Sequence, residues 1–305
     1  MVSASDDASF RRYFRLIHQG GSVICVDAPP QQEDNDSFVK IQSMLEAAGV
    51  AVPKVISSDL NRGYLLLSDL GDELLLNDLK VSEPDKQRAL YEQAIDSLGG
   101  ILRADGQQLA TYSEDKLREE MSLFPDWFLS RQLGIDLYHG FEDIMSLMVD
   151  NALSQPRIFV HRDFHARNLM PQDDGSLAII DFQDAVYGPI TYDLVSLLKD
   201  CYWRLDRSQV IELVEKYRLK HCQSESPERF LKWFDWMGFQ RHLKCAGIFS
   251  RLNLRDGKPG YLNDIPLVIA YLVEVAELYD ELAEFGEWLK REVQQRLVAQ
   301  LAAEA

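Results

Sequence analysis

Asp163, Asn168 and Asp181 stand five and thirteen residues apart, within His161-Arg162-Asp163-Phe164-His165-Ala166-Arg167-Asn168 and Ile179-Ile180-Asp181-Phe182. Two carboxylates and an amide are what phosphoryl transfer asks of a protein. One carboxylate receives the proton of an acceptor hydroxyl, and hard oxygen ligands hold Mg²⁺ against nucleotide phosphates. Asp163 is assigned as the base, with Asn168 and Asp181 as metal ligands. The competing view is structural, with Asp163 capping a turn and Asp181 closing a hairpin, both common uses of aspartate. His161 and His165 lie in the same stretch, but Mg²⁺ prefers oxygen, so neither is expected to be a ligand.

The elements that must hold these groups follow from periodicity and turn chemistry. Residues 158–160 and 177–180 read as short apolar strands flanking the polar segment, with Asp173-Asp174-Gly175 as the turn between them. Upstream, residues 13–17 and 23–28 form a hairpin around Gln19-Gly20-Gly21. Phe38, Ile41, Leu45 and Ala48 recur at helical spacing until Gly49. A second strand pair, 54–58 and 64–67, turns at Asn61-Arg62-Gly63, and Ser68-Asp69-Leu70-Gly71 reads as a connector. Beyond it Leu90, Ala94, Leu98 and Ile101 share a helical face, with Ser82 as a cap three residues before Asp85. The expected organisation is α+β: a strand-rich lobe over 1–70, a hinge near 68–71, and a mostly helical lobe over 71–305.

Composition narrows the partners. The 305 residues are 46% hydrophobic and 27% charged, as in ordinary globular enzymes. With 32 Lys and Arg against 49 Asp and Glu, the net charge of −17 disfavours nucleic acid as a partner. Cys25, Cys201, Cys222 and Cys245 show no C-x-x-C spacing, which argues against a zinc knuckle or a disulfide framework and for a reducing cytoplasm. The polar, acidic first residues lack the layout of a secretory signal. The apolar stretch 265–273 is far shorter than a bilayer span and reads as a buried helix start, so no membrane partner is expected. The oligomeric state is left open, with a monomer as the default.

The pattern H-x-D-x-x-x-x-N followed by I-D-F resembles the aminoglycoside phosphotransferase and choline kinase superfamily, distant relatives of protein kinases. That resemblance implies a bilobal protein-kinase-like fold with a small antiparallel β-sheet and one helix in the N-lobe, ATP and Mg²⁺ as cofactors, and a small-molecule hydroxyl as acceptor. It further implies that His161 packs beneath the catalytic loop and that Asp193, in Tyr192-Asp193-Leu194, braces it from a helix. The segment from Ser5 to Arg15 takes the place of the kinase glycine-rich loop yet contains no glycine, leaving the backbone around Ser9 to cradle phosphate. The position of the kinase strand lysine is occupied by Asp27, so a cation must come from Arg11, Arg12 or Arg15, with Arg12 the first choice. Ser68, Asp69 and Gly71 would present the hinge to adenine.

Ser9-Phe10-Arg11-Arg12-Tyr13-Phe14-Arg15, Asp27-Ala28-Pro29-Pro30, Asp181-Phe182-Gln183-Asp184-Ala185 and Gln240-Arg241-His242-Leu243-Lys244 resemble the bacterial anomeric kinases of N-acetylmuramate and N-acetylglucosamine. The resemblance implies phosphorylation of a sugar C1 hydroxyl in peptidoglycan recycling. On the substrate side stand Arg167, Asp184, Arg241 and Lys244. Arg241, Lys244 and Arg251 form a basic helical stripe suited to the lactyl carboxylate of N-acetylmuramate, unless that stripe is an ordinary solvated face. Trp233, Phe234, Trp236, Phe239 and Phe249 nearby are read as core. The alternatives are a kinase of choline, homoserine or an aminoglycoside, and an inactive nucleotide-binding module, which the absent glycines and lysine make credible. No activation segment lies between Asp181 and Tyr192, which speaks against a protein kinase.

Overall fold

The computed structural model describes residues 2–5 and 10–304. Compactness divides the chain into one unit of Met1–Leu109 with Ile158–Tyr187, and a second of Ala110–Arg157 with Gly188–Ala305. The hinge expected near 68–71 therefore falls inside the first unit. The segment 158–187 packs on the helices of this unit and on the loop after the first of them, where the Ile179 N–H donates to the Ala51 carbonyl at 2.8 Å.

In the first unit, β1 (Val2–Ser5), β2 (Arg12–His18), β3 (Gly21–Asp27), β4 (Val55–Asp59) and β5 (Tyr64–Ser68) form an antiparallel sheet in the order β1-β2-β3-β5-β4. The expected Gln19-Gly20 turn sets the β2–β3 register, from Arg12 opposite Asp27 to His18 opposite Gly21. The next hairpin turns as expected at Asn61-Arg62-Gly63. Gly63 has φ +78° and a Cβ there would sit 2.1 Å from the Ala28 carbonyl oxygen, so no side chain fits.

Helix α1 (Asn35–Ala47) starts at Asp34, whose carboxylate accepts the Ser37 N–H at 3.0 Å, and it buries Phe38, Ile41 and Leu45. Helices α2 (Leu75–Val81) and α3 (Pro84–Ile101) follow. Ser82 is not the cap of α3: it ends α2, and α3 begins at Glu83 with Pro84 in its first turn, where a missing N–H is harmless.

Four short strands complete the pairings. They are β6 (Arg157–Val160), β7 (Leu169–Pro171), β8 (Leu177–Ile179) and β9 (Val186–Pro189). β6 pairs with β9, and β7 with β8. Both strands expected over 158–160 and 177–180 are present, as β6 and β8, and each pairs with a further short strand rather than with the other. The Asp173-Asp174-Gly175 turn is present, but it joins β8 to β7, a three-residue strand with no alternation to announce it.

The second unit is helical: α4 (Glu114–Leu123), extended by wider π-type turns over Phe124–Leu133, then α5 (Phe141–Leu153), α6 (Tyr192–Leu198), α7 (Arg207–His221), α8 (Pro227–Asp256), α9 (Ile265–Ala276), α10 (Ala283–Trp288) and α11 (Gln295–Glu304). Every residue of α8 from Trp233 to Gly247 is buried, as befits a helix enclosed on all sides. Gly247 permits this: a Cβ there would lie 2.3 Å from the Leu123 carbonyl carbon. The stretch after 265 is a buried helix start as expected. Among the described residues no helix is long and apolar enough to cross a membrane.

Candidate active site

The β7–β8 hairpin explains the thirteen-residue spacing. Register places Leu169 opposite Ile179, so the residues just outside the pair, Asn168 and Ile180, also meet, and the Ile180 N–H donates to the Asn168 carbonyl at 3.1 Å. Asp181 is carried to the side of Asn168. The five-residue spacing is a tight turn: the His165 N–H donates to the Asp163 carbonyl at 3.0 Å and the Asn168 N–H to the His165 carbonyl at 2.8 Å. Asn168 then joins both ends, its Nδ2 donating to the Asp163 carbonyl at 3.0 Å and to Asp181 Oδ2 at 3.2 Å. Asp163, Asn168 and Asp181 are all half-buried.

Among the described residues, the non-glycine residues with positive φ are Arg162 at +77° and Asp181 at +64°, immediately beside or within this group. Left-handed backbone at such residues costs roughly 1–3 kcal/mol and persists where its surroundings impose it. Here the surroundings are specific. Arg162 Nη1 reaches the Asp184 carbonyl at 3.3 Å, and Gln183 Nε2 donates to Asp181 Oδ1 at 2.7 Å. Gln183 was not singled out from the sequence; its place two residues after Asp181 was the available signal.

His161 is fully buried beneath the turn. Its Nε2–H donates to the Ile180 carbonyl at 3.0 Å and its Nδ1 accepts the Asp163 N–H at 3.2 Å, which fixes one neutral tautomer. Burial pushes its pKa down to about 4. The unfolded imidazole titrates near 6.5, so below that pH the unfolded chain takes up the proton first. Stability conferred by the neutral ring is therefore full above about 6.5 and is lost as pH falls toward 4. The His161 ring signals in NMR are expected to stay unshifted from pH 8 to about 5.5; titration near 6.5 would contradict this environment. Asp193 lies on α6 and is buried.

The donor set suits a hard cation. Asp181 offers carboxylate oxygens and Asn168, with Nδ2 already donating to two acceptors, offers Oδ1. Among the described residues no cluster of three His, Cys, Asp or Glu competes with it as a metal site.

The three arginines singled out near the start of the chain have separate fates. Arg11 is buried, paired with Glu33 at 3.5 Å and stacked over Phe38. Arg15 is bound to Asp69 and Asp72. Arg12 pairs with Asp27 across the β2–β3 hairpin, and its side chain is 67% exposed. Ser9 lies outside the described residues. Ser68 ends β5, where its N–H and Oγ bond the main chain of Lys54, while Asp69 is held by Arg15, whose guanidinium pulls its pKa down to about 2. Gly71 donates its N–H to Asp69 Oδ1 at 3.0 Å.

Of the residues placed on the acceptor side, Arg167 and Asp184 are exposed on the loops that carry Asp163 and Asp181. Arg241 and Lys244 belong to the second unit, on the enclosed part of α8. Lys244 Nζ lies 3.3 Å from Glu120 Oε1 and donates to the Tyr192 hydroxyl at 3.2 Å; the Tyr112 hydroxyl donates to the same Glu120, and Arg241 Nη1 approaches Cys201 Sγ at 3.7 Å. The basic stripe is not a solvated face: both residues are buried. Trp233, Phe234, Trp236, Phe239 and Phe249 are core.

The phosphotransferase enzyme family matches residues 2–243. An N-acetylmuramate/N-acetylglucosamine kinase of Pseudomonas aeruginosa is 44% identical over 301 residues, covering 95% of this chain and 87% of that protein. A protein of the same name from Neisseria meningitidis is 40% identical over 295 residues, covering 93% and 87%. Among solved structures, a choline kinase from Streptococcus pneumoniae gives a TM-score of 0.64 at 12% identity, covering 90% and 93% of the two chains. An ADP-bound aminoglycoside phosphotransferase gives 0.57 at 13% identity, again over 90% and 93%. The α+β, protein-kinase-like fold expected from the sequence is the one these structures share.

Proposed function

The chain belongs to the phosphotransferase enzyme family, and from that membership we propose that it phosphorylates N-acetylmuramate and N-acetylglucosamine at the anomeric C1 hydroxyl, with ATP as donor. It is a kinase with an alcohol acceptor. The choice of sugar is supported by relatives at 40% and 44% identity over nearly the whole chain. The observation that carries the chemistry is the Asn168 amide, which ties the turn of Asp163 to the carboxylate of Asp181.

Asp163 takes the proton of the C1 hydroxyl as that oxygen attacks the γ-phosphorus; the bond to the β–γ bridging oxygen breaks and ADP leaves with the electron pair. Asn168 and Asp181 would hold Mg²⁺, which would neutralise charge on the phosphate oxygens. Arg12 takes the phosphate role that the absent lysine leaves open, and Asp27 keeps its guanidinium in place until nucleotide arrives. Ser68, Asp69 and Gly71 meet the base. Arg167 and Asp184 serve the sugar directly, whereas Arg241 and Lys244 act at one remove by fixing Cys201, Glu120 and Tyr192. The use of ATP supports a cytoplasmic reaction, and the cell-wall sugars support a part in peptidoglycan recycling.

A panel of ADP-release assays tests this. Turnover is expected with N-acetylmuramate and N-acetylglucosamine and to vanish with their methyl glycosides, in which C1 carries no hydroxyl. ³¹P NMR of the product is expected to show phosphate coupled to the anomeric proton. Turnover with choline or kanamycin and none with the two sugars would remove the assignment.

A further inference from the structure

Arg15 stands mid-strand in β2, yet its guanidinium serves the connector that follows β5. Its Nε donates to Asp69 Oδ2 at 2.6 Å and its Nη2 to Asp69 Oδ1 at 3.0 Å, a two-pronged fork. Nη1 donates to Asp72 Oδ2 at 2.7 Å, and Nη2 also reaches the Gly71 carbonyl at 3.1 Å. Asp69 accepts the Gly71 N–H, closing a loop of bonds across four residues. At the other end Ser68 is pinned, its N–H donating to the Lys54 carbonyl at 2.9 Å and its Oγ accepting the Lys54 N–H at 2.8 Å.

The arrangement exceeds what joining a strand to a helix requires. The Arg15 and Asp69 side chains are 20% and 6% exposed, so this fork is shielded from the water that weakens ordinary surface pairs. Left unclamped, each connector residue would lose backbone entropy when a ligand ordered it. A segment ordered beforehand avoids that loss on binding. It also fixes which main-chain groups donate and which accept. Adenine and guanine present opposite donor and acceptor patterns along the same edge, so a connector that cannot flip a peptide discriminates between them.

We propose that Arg15 is a positioning residue for the nucleotide: by pre-forming residues 68–72 it sets both the affinity for ATP and the preference for adenine over guanine, resting on the assignment of Ser68 to Gly71 as the base-contacting segment. It is not a phosphate ligand.

The test compares the parent with Arg15→Ala, Arg15→Lys and Asp72→Asn, using N-acetylglucosamine as acceptor and ATP or GTP as donor. Arg15→Ala is expected to raise KM for ATP about tenfold, to change kcat less than about threefold, and to narrow the ATP:GTP ratio of kcat/KM by about tenfold. Arg15→Lys retains the charge but not the fork and is expected to recover part of the loss. Asp72→Asn takes the charge, though not the acceptor oxygen, from one arm and is expected to shift KM less than Arg15→Ala; these two milder variants guard against a misfolded alanine protein, which thermal melting would reveal. Amide chemical shifts of the parent with and without a non-hydrolysable ATP analogue separate the two assignments, since a pre-ordered amide need not gain exchange protection when the base arrives. If the amides of 69–71 do not shift, the base-contacting segment lies elsewhere and the proposal falls with it. If they shift and folded variants keep the parent's KM and nucleotide preference, the clamp proposal alone is wrong.

Discussion

Asp163→Asn is expected to lower kcat at least about 10²-fold while leaving ATP affinity within about twofold. The substitution preserves the volume of the side chain and both main-chain bonds that shape the turn, the N–H to His161 Nδ1 and the carbonyl that accepts from Asn168. What it removes is the capacity to take a proton from the acceptor hydroxyl. In the proposed mechanism nucleotide binding uses other groups, so calorimetric titration with ATP separates loss of chemistry from loss of fold. Undiminished turnover at saturating N-acetylglucosamine would falsify the role given to Asp163.

Asp181→Asn is expected to be more damaging still, with kcat/KM falling on the order of 10³-fold, since a metal-held charge on transferring phosphate is worth several kcal/mol. Asparagine tolerates left-handed backbone as aspartate does, so the +64° φ survives the change; alanine would add strain and confuse the result. The variant's activity is expected to rise steeply with Mg²⁺ beyond the concentration that saturates the parent. A parental Mg²⁺ dependence in Asp181→Asn, with unaltered circular dichroism, would show that this carboxylate is not a ligand.

That Asp163, Asn168 and Asp181 come together was legible in the sequence, because the chemistry proposed for them asks for those types at those separations. The Arg12–Asp27 pair was equally accessible, since the Gln19-Gly20 turn dictates which residues of the hairpin face each other. Three residues after Asn168, by contrast, carry too few positions to show an alternation, and β7 was hidden. Helical spacing put Arg241 and Lys244 on one face but says nothing of what that face meets, and on an enclosed helix it meets protein. Arg15 had no local signal at all: its partners lie more than fifty residues downstream, and only the folded sheet brings them together. Ser82 misled because a proline at the next helix start outweighs a capping pattern.

The first unit is assembled from two stretches of chain with residues 110–157 made in between. A ribosome adds about 5–20 residues each second, so for some seconds the nascent sheet waits without its complement. Phe38 has yet to meet Phe182, and the Ala51 carbonyl has yet to receive the Ile179 N–H. During that interval the Phe38 ring and the Ala51 carbonyl stand without these partners. Expressing the strands and α1 as a fragment would make that passing state permanent.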